Sequence, residues 1–180
     1  MKLAMQPLLP GVTKTKLVHG GGKTDAHAKI ARPLSRKKWI HLVLKSDKAK
    51  GNWSFLRHKI YIDQLIRTKA KKFGITIGDF ANVGNHLHLK VKISSREGFQ
   101  SFLKSVTTMI VRHITGTRKG RPIGRFWQGL AFTRVLQSAF ENLRLRGYFE
   151  ANRREAQQGR LARKDYLEQF NRWVNSLNSG

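Results

Sequence analysis

The alternation of Leu87, Leu89, Val91 and Ile93 with His86, His88, Lys90 and Lys92 constrains this chain more than any other feature. A period of two is the period of a strand, whose successive side chains point to opposite faces. One face of this strand is wholly apolar and needs a core. The other carries two imidazoles one pleat apart, followed by two ammonium groups. Two histidines at i and i+2 on one strand face can hold a single metal ion through neutral nitrogens. The lysines just beyond favour a phosphate-bearing partner. A lone His-x-His pair is a common coincidence, so its meaning depends on what the rest of the chain brings to it.

The other elements follow from periodicity and punctuation. Trp39 to Leu44 is nearly apolar on both faces and predicts a central strand, with His41 inside it as a core or groove histidine rather than a ligand. Leu56 to Phe73 predicts an amphipathic helix with Ile62, Leu65, Ile66 and Phe73 on one stripe, ended by Gly74. Ile75 to Val83 predicts a strand that turns through Gly84-Asn85 into the histidine strand as a hairpin. Ser94 stands three residues before Glu97, a capping-box spacing, and predicts a helix to about Thr115. Gly116 to Arg125 is a glycine-rich loop carrying Arg118, Lys119, Arg121 and Arg125, a composition suited to phosphate. Phe126 to Val135 predicts a fourth strand. Ser138 and Glu141 repeat the capping spacing before a helix to about Gln157, and a last helix is expected from about Leu161 to Leu177. Strand, helix, strand, strand, helix, strand, helix is an α+β order, the ferredoxin-like βαββαβ antiparallel sheet with an added C-terminal helix. Residues 1–36 read as a basic, poorly ordered arm, a tail or a DNA-gripping extension, and residues 37–180 as a single domain.

Charge sets the class of partner. The 180 residues hold 36 basic and 10 acidic side chains, a formal charge of +26, and self-repulsion of that size calls for a polyanion. Nucleic acid is the natural one, bound with strong salt dependence. An anionic membrane is the rival, but no apolar run approaches the roughly 18 residues of a spanning helix. With no cysteine, disulfides, thiolate metal sites and a cysteine nucleophile are excluded. Residues 1–10 make a poor signal peptide, with Pro7 and Pro10 breaking a short apolar run, so a cytosolic protein is expected.

The chemistry converges on the helix after the fourth strand. Tyr148 and Asn152 are four apart and lie one above the other, and Arg144 precedes Tyr148 by four. Phe140, Leu143, Gly147 and Ala151 form a neighbouring stripe that can bury. Placed over the polar face of the histidine strand, this helix would complete a site of two imidazoles and an amide oxygen around one ion, with a phenol beside it.

His86-Leu87-His88, Phe126-Trp127-Gln128 and Tyr148-x-x-x-Asn152 together resemble the single-tyrosine histidine-hydrophobic-histidine (HUH) transposases, and among them the REP-associated tyrosine transposases. The likeness spans about Trp39 to Gln157. It implies the HUH endonuclease fold, with the added C-terminal helix catalytic. It implies that Tyr148 attacks a phosphodiester of single-stranded DNA to leave a 5′-phosphotyrosine and a free 3′-hydroxyl. His86, His88 and Asn152 would bind a divalent ion, Mg²⁺ or Mn²⁺. Apart from the resemblance, the charge of Arg144 or of the ion is expected to favour the phenolate. The substrate would be single-stranded DNA with a hairpin, gripped by Lys90, Lys92, Arg118, Lys119, Arg121, Arg125 and Arg144, with Trp53, Trp127 and Trp173 able to stack on unpaired bases or to pack in the core. A monomeric, bacterial, nucleoid-associated cytoplasmic protein is implied. Two features depart from the family: the long basic N-terminal arm, and Val83-Gly84-Asn85 in place of a proline-containing run before the histidines. The alternative function is a non-catalytic hairpin DNA- or RNA-binding protein on the same fold.

Overall fold

A computed structural model describes residues 17–21, 31–117 and 123–176. Its element order is β1 (Val18–His19), β2 (Ile40–Lys45), α1 (Lys59–Lys72), β3 (Ile75–Asn82), β4 (His86–Ile93), α2 (Arg96–Thr115), β5 (Phe132–Val135), α3 (Ala139–Gln158) and α4 (Arg160–Ser176), with a 3₁₀ turn at Gly51–Trp53. The strands form one five-stranded sheet in the order β1-β5-β2-β4-β3, and every pairing among the described residues is antiparallel.

The two faces of β4 do what the alternation requires. Leu87, Leu89 and Val91 are fully buried, and they meet Ile40, Leu42 and Leu44 of β2, Ile62 and Ile66 of α1, and Phe99, Phe102, Val106 and Ile110 of α2 in the main core. The opposite face of the sheet is closed by α3, through a second cluster of Ala81, Leu136, Leu145 and Phe149 against Trp39 and Tyr148. The histidines therefore lie between sheet and helix. In β3 the register slips between Ile77 and Asp79. A bulge of this kind re-aims the side chains that follow it. A Cβ at Gly78 would lie 2.7 Å from the Trp39 ring, so the missing side chain lets the indole lie against the bulge.

Some predicted boundaries move. Ser94 does not cap α2: its hydroxyl donates to Gly74 O, and Ser95 is the N-cap, accepting from Gly98 N at 2.9 Å. Two adjacent serines leave the register of the cap open in the sequence, and the β3–α2 corner decides it. α1 starts at Lys59 rather than Leu56, because the chain first makes tight turns through residues 51–58. The fourth strand is only Phe132–Val135. Phe126 is buried and Trp127 is tilted on Phe55 with its Nε1 donating to Thr107 O, so these aromatics are held by packing rather than by a ladder. Gly129, at φ +68°, breaks the extended run before β5. The N-terminal stretch supplies β1, which pairs with β5, and Arg32, whose guanidinium donates to Ala131 O and Thr133 Oγ1. Arg118, Lys119 and Arg121 lie outside the described residues. Among the described residues no helix is long and apolar enough to cross a membrane.

Candidate active site

His86 and His88 sit one pleat apart on β4 with ring centroids 4.7 Å apart. Each has a partner on Nδ1. His86 Nδ1 lies 2.6 Å from Asn85 Oδ1, and with the proton on Nδ1 the Nε2 lone pair is left for another partner. His88 Nδ1 lies 3.1 Å from His41 Nε2. His88 is 3% exposed and its buried Nε2 has no hydrogen-bond partner. His41 reaches it from β2, where Val43 is the register partner of His88, so the contact is diagonal across the pair.

α3 brings the other half. Leu145, Phe149 and Asn152 are buried on its sheet-facing side and Tyr148 is half-buried beside them. This differs from the expected stripe: Gly147 and Ala151 face α4 instead. A Cβ at Gly147 would lie 2.2 Å from the Phe170 ring, so glycine is what lets α4 close on α3. An Arg153–Asp79 ion pair ties α3 to β3, and Ser138 caps the helix by accepting from Glu141 N. The Tyr148 ring stands edge-on to His88 at 5.2 Å and to His41 at 6.2 Å between centroids. Asn152 is 1% exposed, and its buried Nδ2 has no partner. The two amide positions are interchangeable by rotation, so the unpartnered position can be filled by the nitrogen or the oxygen.

Burial drives His88 down to about 2, with the charges of His86, His41 and Arg163 adding to it. Burial drives His41 to about 4, helped by Arg134, its register partner on β5. His86 is lowered chiefly by burial, then by Lys45 and Arg163, against the opposing pull of Glu155. All three rings are thus neutral at pH 7, the form that can ligate a metal. Two free or unpartnered imidazole nitrogens and an unpartnered buried amide fit a divalent ion. Among the described residues no three His, Asp or Glu side chains gather into such a site, so the amide would have to serve as the third donor.

Tyr148 meets His88, with His86 one pleat away and Asn152 buried one turn further along α3, while the predicted cations among the described residues scatter. Arg144 is exposed, with its guanidinium 4.5 Å from the Phe140 ring centroid rather than over the phenol. Lys90 and Lys92 both stack on Trp39 at 4.9 Å. Arg125 donates from Nε to Trp127 O. The cation beside Tyr148 is Arg163 of α4, 5.5 Å from the ring centroid, with Nε 3.3 Å from Glu155 Oε2. That ion pair is not aligned as a hydrogen bond, and the Nε–H is buried without an acceptor. Sequence reasoning missed Arg163 and the role of His41. For His41, the signal was a polar side chain inside an otherwise apolar strand. For Arg163, fifteen residues beyond Tyr148, only the packing of α4 brings it near.

No family model and no curated protein sequence matches this chain. Among solved structures it is similar to that of a REP-associated tyrosine transposase bound to a REP hairpin, with a TM-score of 0.58 at 10% sequence identity, over 74% of this chain and 76% of that one. At that identity the likeness is one of fold alone, and this chain's mixed architecture of an antiparallel sheet and helices is consistent with it.

Proposed function

We propose that the chain is a metal-dependent single-stranded DNA endonuclease and strand transferase that acts beside DNA hairpins. The observation that carries this reading is the Tyr148 ring edge-on to His88, whose buried Nε2 has no partner, with His86 one pleat away and the Asn152 amide buried and unpartnered one turn along α3. The fold-level likeness to a hairpin-bound transposase supports it, and so does the charge of +26. The sheet order agrees with a ferredoxin-like arrangement to which β1 adds an edge strand.

In this mechanism Tyr148 Oη attacks the phosphorus of a phosphodiester. The phenol loses its proton, the P–O3′ bond breaks, and the leaving oxygen takes up a proton to become a 3′-hydroxyl. The 5′-phosphate stays esterified to Tyr148, so the bond energy is kept for transfer to a second strand. His86, His88 and Asn152 would hold Mg²⁺ or Mn²⁺, and the chemistry such an ion supplies when bound is Lewis-acid polarisation of a phosphate. His41 and Asn85 hold the two imidazoles in orientation through their Nδ1 atoms. Arg163 places positive charge against the phenol, which is a weak nucleophile while it keeps its proton. Phe149, fully buried, packs beside His41 and His88 on the inner side.

A covalent-adduct assay tests this. Protein is incubated with Mn²⁺ or Mg²⁺ and hairpin oligonucleotides from the DNA bordering its gene, then run on a denaturing gel. The expected result is a metal-dependent protein–DNA band, absent in Tyr148→Phe and in His88→Ala. Hairpin binding without an adduct under both metals would replace this reading with that of a non-catalytic hairpin-binding protein.

A further inference from the structure

Two grooves meet at Tyr148. The first, of about 350 Å³, lies over the histidine pair between Lys45 and Gln128. The second, of about 620 Å³, runs from Tyr148 along the first turns of α3, between that helix and β5. His41, Phe132 and Tyr148 line both, so they form one trough. The mechanism above uses only the first.

The second groove has the wrong chemistry for a phosphate cradle and the right chemistry for a nucleobase. Its walls are apolar and aromatic, with Phe132, Leu136, Phe140 and Leu145 among them. Arg144 lies 4.5 Å over Phe140 and is exposed, which makes a flat guanidinium platform backed by a ring. At one side, Arg134 Nη2 donates to Glu141 Oε1 at 2.8 Å while Gln137 N donates to Glu141 Oε2, also at 2.8 Å. That pair is locked in place and presents hydrogen-bonding groups at a groove edge. Two guanidiniums against one carboxylate leave the groove one positive charge, matching a ligand that carries phosphate. The volume lies in the roughly 300–1,000 Å³ of small-ligand sites. A flat ligand with apolar faces, a polar edge and a flanking phosphate fits all of this.

We propose that this second groove is a nucleobase pocket. It takes the unpaired base next to the phosphodiester that Tyr148 faces, stacks it on the Arg144–Phe140 platform and reads its edge with the Arg134–Glu141 pair. This rests on the reading of Tyr148 as facing single-stranded DNA.

The test is a binding measurement on the full chain, carried out without metal so that no cleavage is needed. A fluorescent hairpin with a single-stranded flank, drawn from the DNA bordering the gene, is prepared with one abasic site walked along the flank. The hairpin fixes the register. In the parent protein one position should weaken binding by on the order of tenfold, the scale of one base–aromatic stack. In Phe140→Ala that position should no longer differ from its neighbours. Arg144→Ala, at an exposed position that keeps the helix intact, should flatten the same position. A flank in which no position stands out, one whose critical position persists in both variants, or a protein that binds none of these DNAs would overturn the proposal. The two readings fail separately. A position-specific loss without any covalent adduct keeps the pocket and removes the nuclease, and an adduct with a featureless abasic walk does the reverse.

Discussion

His88 lies between two other imidazoles, His86 beside it on the pleat and His41 bonded to its Nδ1. For His88 Nε2 to offer a lone pair, Nδ1 must carry the proton and donate it to a neutral His41. His41→Ala should therefore weaken Mn²⁺ binding about 10- to 100-fold, as loss of an orienting partner does. His41→Gln, which keeps an acceptor, should recover much of it. Calorimetric titration with the metal reads both, and equal affinity in parent and His41→Ala would remove His41 from this role. The same burial sets a pH dependence. His41 and His88 have folded pKa values of about 4 and about 2, below the usual imidazole value near 6.5, so the unfolded chain binds protons first as pH falls. Their contribution to stability is present above about pH 6.5 and is lost below it. It falls through pH 4 for His41 and further for His88, by at most ~1.4 kcal/mol per pH unit per ring. Urea melts of the metal-free protein between pH 7 and 5 should show the loss, and His41→Phe should flatten the slope. Arg163 makes a third case. Arg163→Met should slow adduct formation by on the order of tenfold through loss of the cation beside the phenol, with hairpin affinity little changed. A loss of affinity instead would make Arg163 a DNA contact.

At the scale of elements, α3 is a sandwiched helix, with the sheet on one side and α4 on the other. Gly147 lies against the Phe170 ring of α4, and Gly147→Ala drives a methyl into that ring. Overpacking of that kind costs about 1–3 kcal/mol, while alanine regains up to ~1 kcal/mol of helix propensity. The net effect should be destabilising, and combining it with Phe170→Leu should restore stability in urea denaturation. An additive double variant would mean the two positions do not meet. Local signals located α3 well, because Ser138 is an isolated capping residue with Glu141 three positions on. They misplaced the α2 cap by one residue, because Ser94 and Ser95 compete and only the contact of Ser94 with Gly74 separates them. They overextended the fourth strand, because Phe126 and Trp127 have strand propensity but are taken up by Phe55 and α2.

Across the whole molecule, 36 cations against 10 anions should make DNA affinity steeply salt-dependent. If six or more phosphates are neutralised, hairpin affinity should fall at least on the order of 10³-fold between about 50 and 200 mM salt. A fall of less than about tenfold in fluorescence anisotropy titrations would mean the charge is not directed at the backbone. The sequence by itself determined the order of the main strands and helices and which face of each is apolar, because burial acts on local periodicity. It also set Tyr148 over Asn152, because four residues is about one helical turn. The pairing of His41 with His88, 47 residues apart, was decided only by strand register. The substitution of Arg163 for Arg144 beside the phenol, and the second groove at Tyr148, were decided by how α4 and β5 pack on α3. No periodicity encodes those contacts, since each depends on the distance between elements that meet only after the core has closed.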